Sequence, residues 1–151
     1  MSADRAVTIR RVLPAPPDIV YDEWLDPVGM LDWMCPHPAR AVKILLEPAV
    51  GGSLRIDIED SGSSLYVTGT FVELDRPRRL RFTWSCSAWA DPMVQSLVTV
   101  TLEGHGTDET LMTIEHVQLP PEQTGSHRRG WGTIAAQLGD AIRERAGDGH
   151  S

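Results

Sequence analysis

The chain has 151 residues, with 14 Lys and Arg against 21 Asp and Glu, a formal charge of −7, and 41% hydrophobic residues. That length suits one domain with a core of its own, independent of disulfides or metals, which excludes disorder as the global state. The charge opposes phosphate attraction, and the densest basic run, Arg76, Arg78, Arg79 and Arg81, straddles a proline turn, so no nucleic-acid partner is expected.

Val7 to Leu13 is rich in β-branched residues and stops at Pro14, Pro16 and Pro17, which predicts a first strand. Asp18 to Leu25 reads as a helix with Ile19, Val20 and Trp24 on its apolar side, and Val28 to Met34 as a second short helix ended by Pro36 and Pro38. The period then changes from 3.6 to 2. Ala41 to Leu46, Ser53 to Glu59, Leu65 to Leu74, Arg79 to Cys86, Gln95 to Glu103 and Thr110 to Val117 are predicted strands of a meander, with Gly69 expected to mark a bulge or bend. Leu54, Ile56 and Ile58 share one face of their strand, and Leu80, Phe82, Trp84 and Cys86 one face of theirs. The last element is a long helix from about Pro121 or Ser126 to Ala146. Its apolar stripe is Trp131, Ile134, Ala135, Leu138, Ala141 and Ile142, opposite Gln137, Asp140, Arg143 and Glu144. A single domain over residues 6–146 follows, with 1–5 and 147–151 expected as flexible ends.

This order defines an α+β domain in which one curved antiparallel sheet of about six or seven strands is covered by the only element large enough, the C-terminal helix. Such a curve leaves room for an apolar small-molecule pocket. The ordered set Trp24-Leu25-Asp26-Pro27, Trp33-Met34-Cys35-Pro36, Gly51-Gly52, Gly69-Thr70-Phe71-Val72-Glu73, Arg79 through Trp84, Gly106-Thr107, His116 and Gly130-Trp131 spans the domain. On these residues the chain resembles the heat-shock protein 90 ATPase activator-like family of the START-like, SRPBCC superfamily. The resemblance implies a helix-grip (START-like, Bet v 1-like) fold with a deep hydrophobic cavity, and it is compatible with a homodimer. Two positions depart from the family pattern: Met34 stands where a second aromatic often follows Trp33, and Val50 where a proline usually precedes the double glycine. The eukaryotic activators carry a further N-terminal domain, which this chain is expected to lack.

The residues expected to line a ligand site are Trp33, Met34, Ile56, Phe82, Trp84, Val98, Val100, Met112, Ile114, His116, Trp131, Ile134 and Leu138. Indoles can stack a flat ligand and hydrogen-bond it. His116 shares an inward strand face with Met112 and Ile114; it is either a core histidine satisfied by a carbonyl or a Trp, or an acid/base group. His127 is expected near the rim. Asp57, Glu59, Glu73 and Glu115 alternate toward solvent. No nucleophile motif, phosphate loop or dinucleotide fingerprint is present. Cys35 and Cys86 match no metal-ligand spacing and read as buried, reduced thiols, so neither a metal nor a cofactor is expected. No run approaches the ~20 apolar residues of a membrane span, and Met1 to Arg5 is polar, so a cytoplasmic protein without a membrane partner is expected. Three functions fit. The first is a binding protein for a small hydrophobic or aromatic molecule. The second is a cyclase, dehydratase or hydrolase acting on a polyketide-like substrate with His116 or Tyr66 in acid/base work. The third is a chaperone or stress-response interaction module.

Overall fold

A computed structural model describes residues 6–148. Strand β1 (Val7–Leu13) ends at the prolines, and Pro17 then takes the first position of α1 (Pro17–Glu23), where its missing N–H would have had no helical partner anyway. Val20, Tyr21, Glu23 and the capping Trp24 turn inward, whereas Ile19, expected on the apolar side, is 48% exposed. The second expected helix is one 3-10 turn over Gly29–Asp32. Trp33 leaves helical geometry there, at φ −137°, and its indole enters the core instead of lying on a helix face.

Strands β2 (Arg40–Leu46), β3 (Ser53–Asp60), β4 (Ser63–Asp75), β5 (Arg79–Cys86), β6 (Ser96–His105) and β7 (Glu109–Val117) form an antiparallel meander. β1 pairs antiparallel with β7, which completes a seven-stranded sheet in the order β1-β7-β6-β5-β4-β3-β2. The period-2 alternation holds along β3, where Leu54, Ile56 and Ile58 are buried and Arg55, Asp57 and Glu59 are not. The curve of the sheet depends on close backbone approach. At Gly69 a Cβ would sit 2.0 Å from the Thr83 carbonyl oxygen, so no larger residue fits the β4–β5 pair there. The register shift itself falls between Phe71 and Glu73, two residues beyond the glycine that the sequence marks. The double glycine divides its work: Gly51 needs a positive φ of 87°, and Gly52 has the Glu47 carbonyl where a Cβ would be, 2.2 Å away.

A 3-10 turn at Pro121–Gln123 leads into α2 (Thr124–Asp148). Its Trp131, Ile134, Ala135, Leu138, Ala141 and Ile142 join Ile56, Phe82, Val98, Val100, Met112 and Ile114 from the sheet in one core. Gln137, read from the sequence as a solvent-side residue, is half-buried. Its amide donates to the carbonyls of Trp33 and Cys35 and accepts from the His37 N–H, which ties α2 to the segment after the 3-10 turn. Near the end of α2, Arg145 clamps the same layer through Glu23, Asp32 and the Gly29 carbonyl. The buried Glu23 carboxylate also accepts from Trp33 Nε1 at 3.0 Å. These bonds raise the Arg145 pKa, the Glu23 hydrogen bond first. α2 continues through Gly147 and Asp148, expected in the flexible tail; residues 1–5 and 149–151 lie outside the described residues.

The basic run is ion-paired on the surface: Arg76 with Asp22, Arg78 with Asp75, Arg79 and Arg81 with Glu73. Asp57 and Glu59 pair with Arg55 and Arg40. Such exposed pairs contribute little each, and they keep the outer face of the sheet polar.

Candidate functional site

The inward alternation of β5 delivers Phe82 into the core and Trp84 and Cys86 to its end, where a loop brings Trp89 back over them. Ile58 of β3 and Leu65 and Val67 of β4 extend this wall. The segment Met34, Cys35, Pro36 and Ala39 faces it, and the first turns of α2 close it with Ser126, His127, Gly130, Trp131 and Ile134. Between them lies a pocket of about 340 Å³. Asp60, Ala88 and Ser126, all exposed, form its rim.

Of the residues expected at a ligand site, the fold brings Met34, Trp84, Trp131 and Ile134 to this pocket. Trp33, Ile56, Phe82, Val98, Val100, Met112, Ile114, His116 and Leu138 are buried but are not part of its lining. Trp33 is consumed by Trp24, against which it packs edge-on at 4.9 Å, and by its bond to Glu23. The others fill the sheet-to-helix core behind the pocket. Sequence reasoning missed Trp89, Cys35 and Cys86 as lining residues. A single large aromatic in the otherwise small and polar loop Ser87-Ala88-Trp89-Ala90-Asp91 was the available signal for Trp89.

His116 is fully buried, and both of its ring nitrogens are engaged. Trp131 Nε1 lies 2.9 Å from Nδ1, and because an indole N–H only donates, Nδ1 must accept. The proton therefore sits on Nε2, which donates to Ser96 Oγ at 2.7 Å, and the Ser96 hydroxyl donates in turn to the Trp84 carbonyl at 2.6 Å. Every donor in this chain has one acceptor. Burial, with a smaller contribution from His127, pushes the His116 pKa down to about 3 and keeps the ring neutral. Such a histidine pins α2 to β6 and β7 and has no free nitrogen for a substrate. Tyr66, the other acid/base candidate, is 41% exposed on the outer face of the sheet beneath the Arg55 guanidinium, 4.2 Å from ring centre to Cζ.

Inside the rim formed by Asp60, burial favours the neutral forms of the pocket's titratable groups, Cys35, Cys86 and His127. Burial, reinforced by the Asp60 charge, pushes the Cys35 thiol up to about 12, and burial raises the Cys86 thiol. Thiols held protonated are poor nucleophiles. His127 donates Nδ1–H to the Gln123 carbonyl at 2.9 Å, and burial lowers its pKa. The aromatic surface is continuous: Trp84 lies 5.2 Å from Trp131, and His127 lies 5.3 Å from His116 and 5.8 Å from Trp89. Among the described residues no three of His, Cys, Asp or Glu form a metal-holding group, and no helix is long and apolar enough to cross a membrane.

A seven-stranded curved antiparallel sheet gripping a long C-terminal helix defines a helix-grip, START-like protein. More narrowly, the chain belongs to the family of Activator of Hsp90 ATPase homolog 1-like proteins, whose family profile matches residues 14–143. The fold is similar to that of a protein from Nitrosomonas europaea, at 21% identity over 96% of this chain and 98% of the other, with a TM-score of 0.79. A protein from Chromobacterium violaceum is similar at 25% identity over 90% and 96% of the two chains, with a TM-score of 0.81. A Plasmodium falciparum protein described as an HSP90 activator is similar at 19% identity over 77% of this chain and 74% of the other, with a TM-score of 0.60. Among curated proteins, none matches the sequence.

Proposed function

We propose that the protein binds a small, flat, largely apolar molecule in the pocket between β3 to β5 and the first turns of α2. The observation that carries this reading is the lining itself, in which Trp84, Trp89 and Trp131 stand beside aliphatic side chains and the single charged residue, Asp60, lies at the rim. A pocket of this volume falls at the lower end of the roughly 300–1,000 Å³ common for small-molecule sites. The reduced thiols of Cys35 and Cys86 suit the cytoplasm. The direct test is intrinsic Trp fluorescence titrated with flat aromatics, phenolics and fatty acids. A saturable response to one class, weakened in Trp84→Ala or Trp131→Ala, supports the reading; no saturable response to any class overturns it. Because aromatic-to-Ala changes in a core cost ~3–5 kcal/mol, circular dichroism must first show that each variant is folded.

Family membership favours a second reading, an activator-like role at an Hsp90-type chaperone. Stimulation of chaperone ATPase turnover by stoichiometric amounts of this protein is its test, and unchanged turnover removes it.

A further inference from the structure

A second cavity, of about 240 Å³, adjoins the pocket on its solvent side. The two share Pro36, Ala39, Asp60, Ser126 and Gly130, and the outer one adds His37, Pro38, Arg129 and Thr133, so it lies between the proline segment and one stripe of α2. Gly130 stands on the boundary. A Cβ there would meet nothing nearer than Pro36 Cγ at 3.8 Å, and the backbone is not in the left-handed region, so neither conformation nor crowding requires a glycine at a helical position that glycine weakens. Its missing side chain leaves open the space between α2 and Pro36 through which the cavities join.

The two linings differ in charge. No Lys or Arg lines the inner pocket, so an ionised acid would find no counter-charge there. The outer cavity holds Arg129, which is always protonated. The other arginines of α2 are engaged: Arg128 on the Ala6 carbonyl, Arg143 on Asp140, and Arg145 on Glu23 and Asp32. Arg129 makes no ion pair or hydrogen bond among the described residues, although Asp60 lines the same cavity. Asp60 accepts instead from Ser61 Oγ at 3.3 Å. The Arg129 side chain runs back along α2, with Nη1 3.6 Å from where a Gly125 Cβ would sit, so its guanidinium stands beside the first turn, where the helix dipole also favours negative charge. The His37 ring and the Thr133 hydroxyl add donors on the facing walls.

Resting on the pocket-binding reading above, we propose that the outer cavity is the doorway of the pocket and the seat of an acidic group, so that the ligand is an amphipathic anion. Its apolar body passes Gly130 into the inner pocket, and its carboxylate or other acid stays outside on Arg129. Gly130 sets what can pass, and Arg129 selects the charge of what stays behind.

The experiment titrates the protein at low salt with three fluorescent probes that share one apolar body: neutral dansylamide, anionic dansylglycine and cationic dansylcadaverine. The expected result is that dansylglycine binds tighter than dansylamide by about three- to fivefold, the size of one solvent-exposed ion pair, and that dansylcadaverine gains nothing from Asp60. Arg129→Gln brings the dansylglycine to dansylamide ratio to unity. Arg128→Gln, which makes the same change in net charge outside the cavity, leaves the ratio as it was. Gly130→Leu weakens all three probes while the protein melts at or above the wild-type temperature, since leucine is the better helix former. Equal binding of dansylglycine and dansylamide, a ratio that survives Arg129→Gln, tightest binding by dansylcadaverine, or unchanged affinities in a folded Gly130→Leu each overturn the proposal while the pocket reading stands. If none of the three probes saturates, both fall. Arg128 and Arg129 are exposed, so their variants keep the test decisive should Gly130→Leu fail to fold.

Discussion

His116 makes stability depend on pH in a way that one substitution can isolate. Its folded pKa is about 3 and its ordinary value 6.5, so between those limits the unfolded chain binds a proton that the folded chain refuses. Stability from this group is therefore fully present above pH 6.5 and is lost as pH falls toward 3. From pH 7.5 to pH 5.0 the loss from this residue amounts to ~2 kcal/mol, since each pH unit inside the window removes up to ~1.4 kcal/mol. The structural reason is visible: a proton on Nδ1 would face the Trp131 N–H, donor against donor, in a site without water access. His116→Gln keeps a neutral donor and acceptor on the side chain and removes the titration. Urea unfolding of both proteins at pH 7.5 and 5.0 gives the comparison. The wild type should lose about 2 kcal/mol more than the variant over that interval. Other histidines and the carboxylates contribute to both proteins and cancel. An equal loss in the two would refute the assignment of a neutral, fully bonded His116.

Two further outcomes follow from packing and burial. Gly69→Ala should cost about 3 kcal/mol or more, because its Cβ would meet the Thr83 carbonyl oxygen at 2.0 Å and β4 would have to part from β5; a thermal melt within a degree or two of wild type would contradict the close approach. Cys35 and Cys86 should resist alkylation at pH 8 in the folded protein and react fully in urea, since burial holds both thiols above their ordinary pKa; rapid labelling of the native protein would contradict their protected state.

Much of the fold was written in local pattern. β1 and β5 fall where alternation and proline stops place them, and the stripe on α2 is the face that is buried, because periodicity and backbone donors act within a few residues. The 3-10 turn at Gly29–Asp32 was less legible, since a segment that short takes its geometry from where Trp33 must pack. The inwardness of His116 could be read from strand alternation, but its partners Trp131 and Ser96 lie 15 and 20 residues away, so only the assembled sheet and helix decide that it is satisfied. Inward residues were also more numerous than pocket residues. Phe82 and Trp84 share one strand face, yet Phe82 is packed against Phe71 and Trp24 while Trp84 reaches the pocket.

The sequence by itself determined the class of fold, the succession of elements along the chain and the apolar stripe of the last helix, but not the pairing of β1 with β7. Tertiary structure alone decided which side chains meet across that fold: Gln137 and Arg145 clasping the segment below α2, Trp89 folding back from a loop, and Trp84 left with a bare N–H beside Trp131. The physical reason is range. Propensity and alternation report what a residue's neighbours along the chain allow, whereas a pocket depends on groups brought together from β3, β4, β5 and α2, whose relative placement no local pattern encodes.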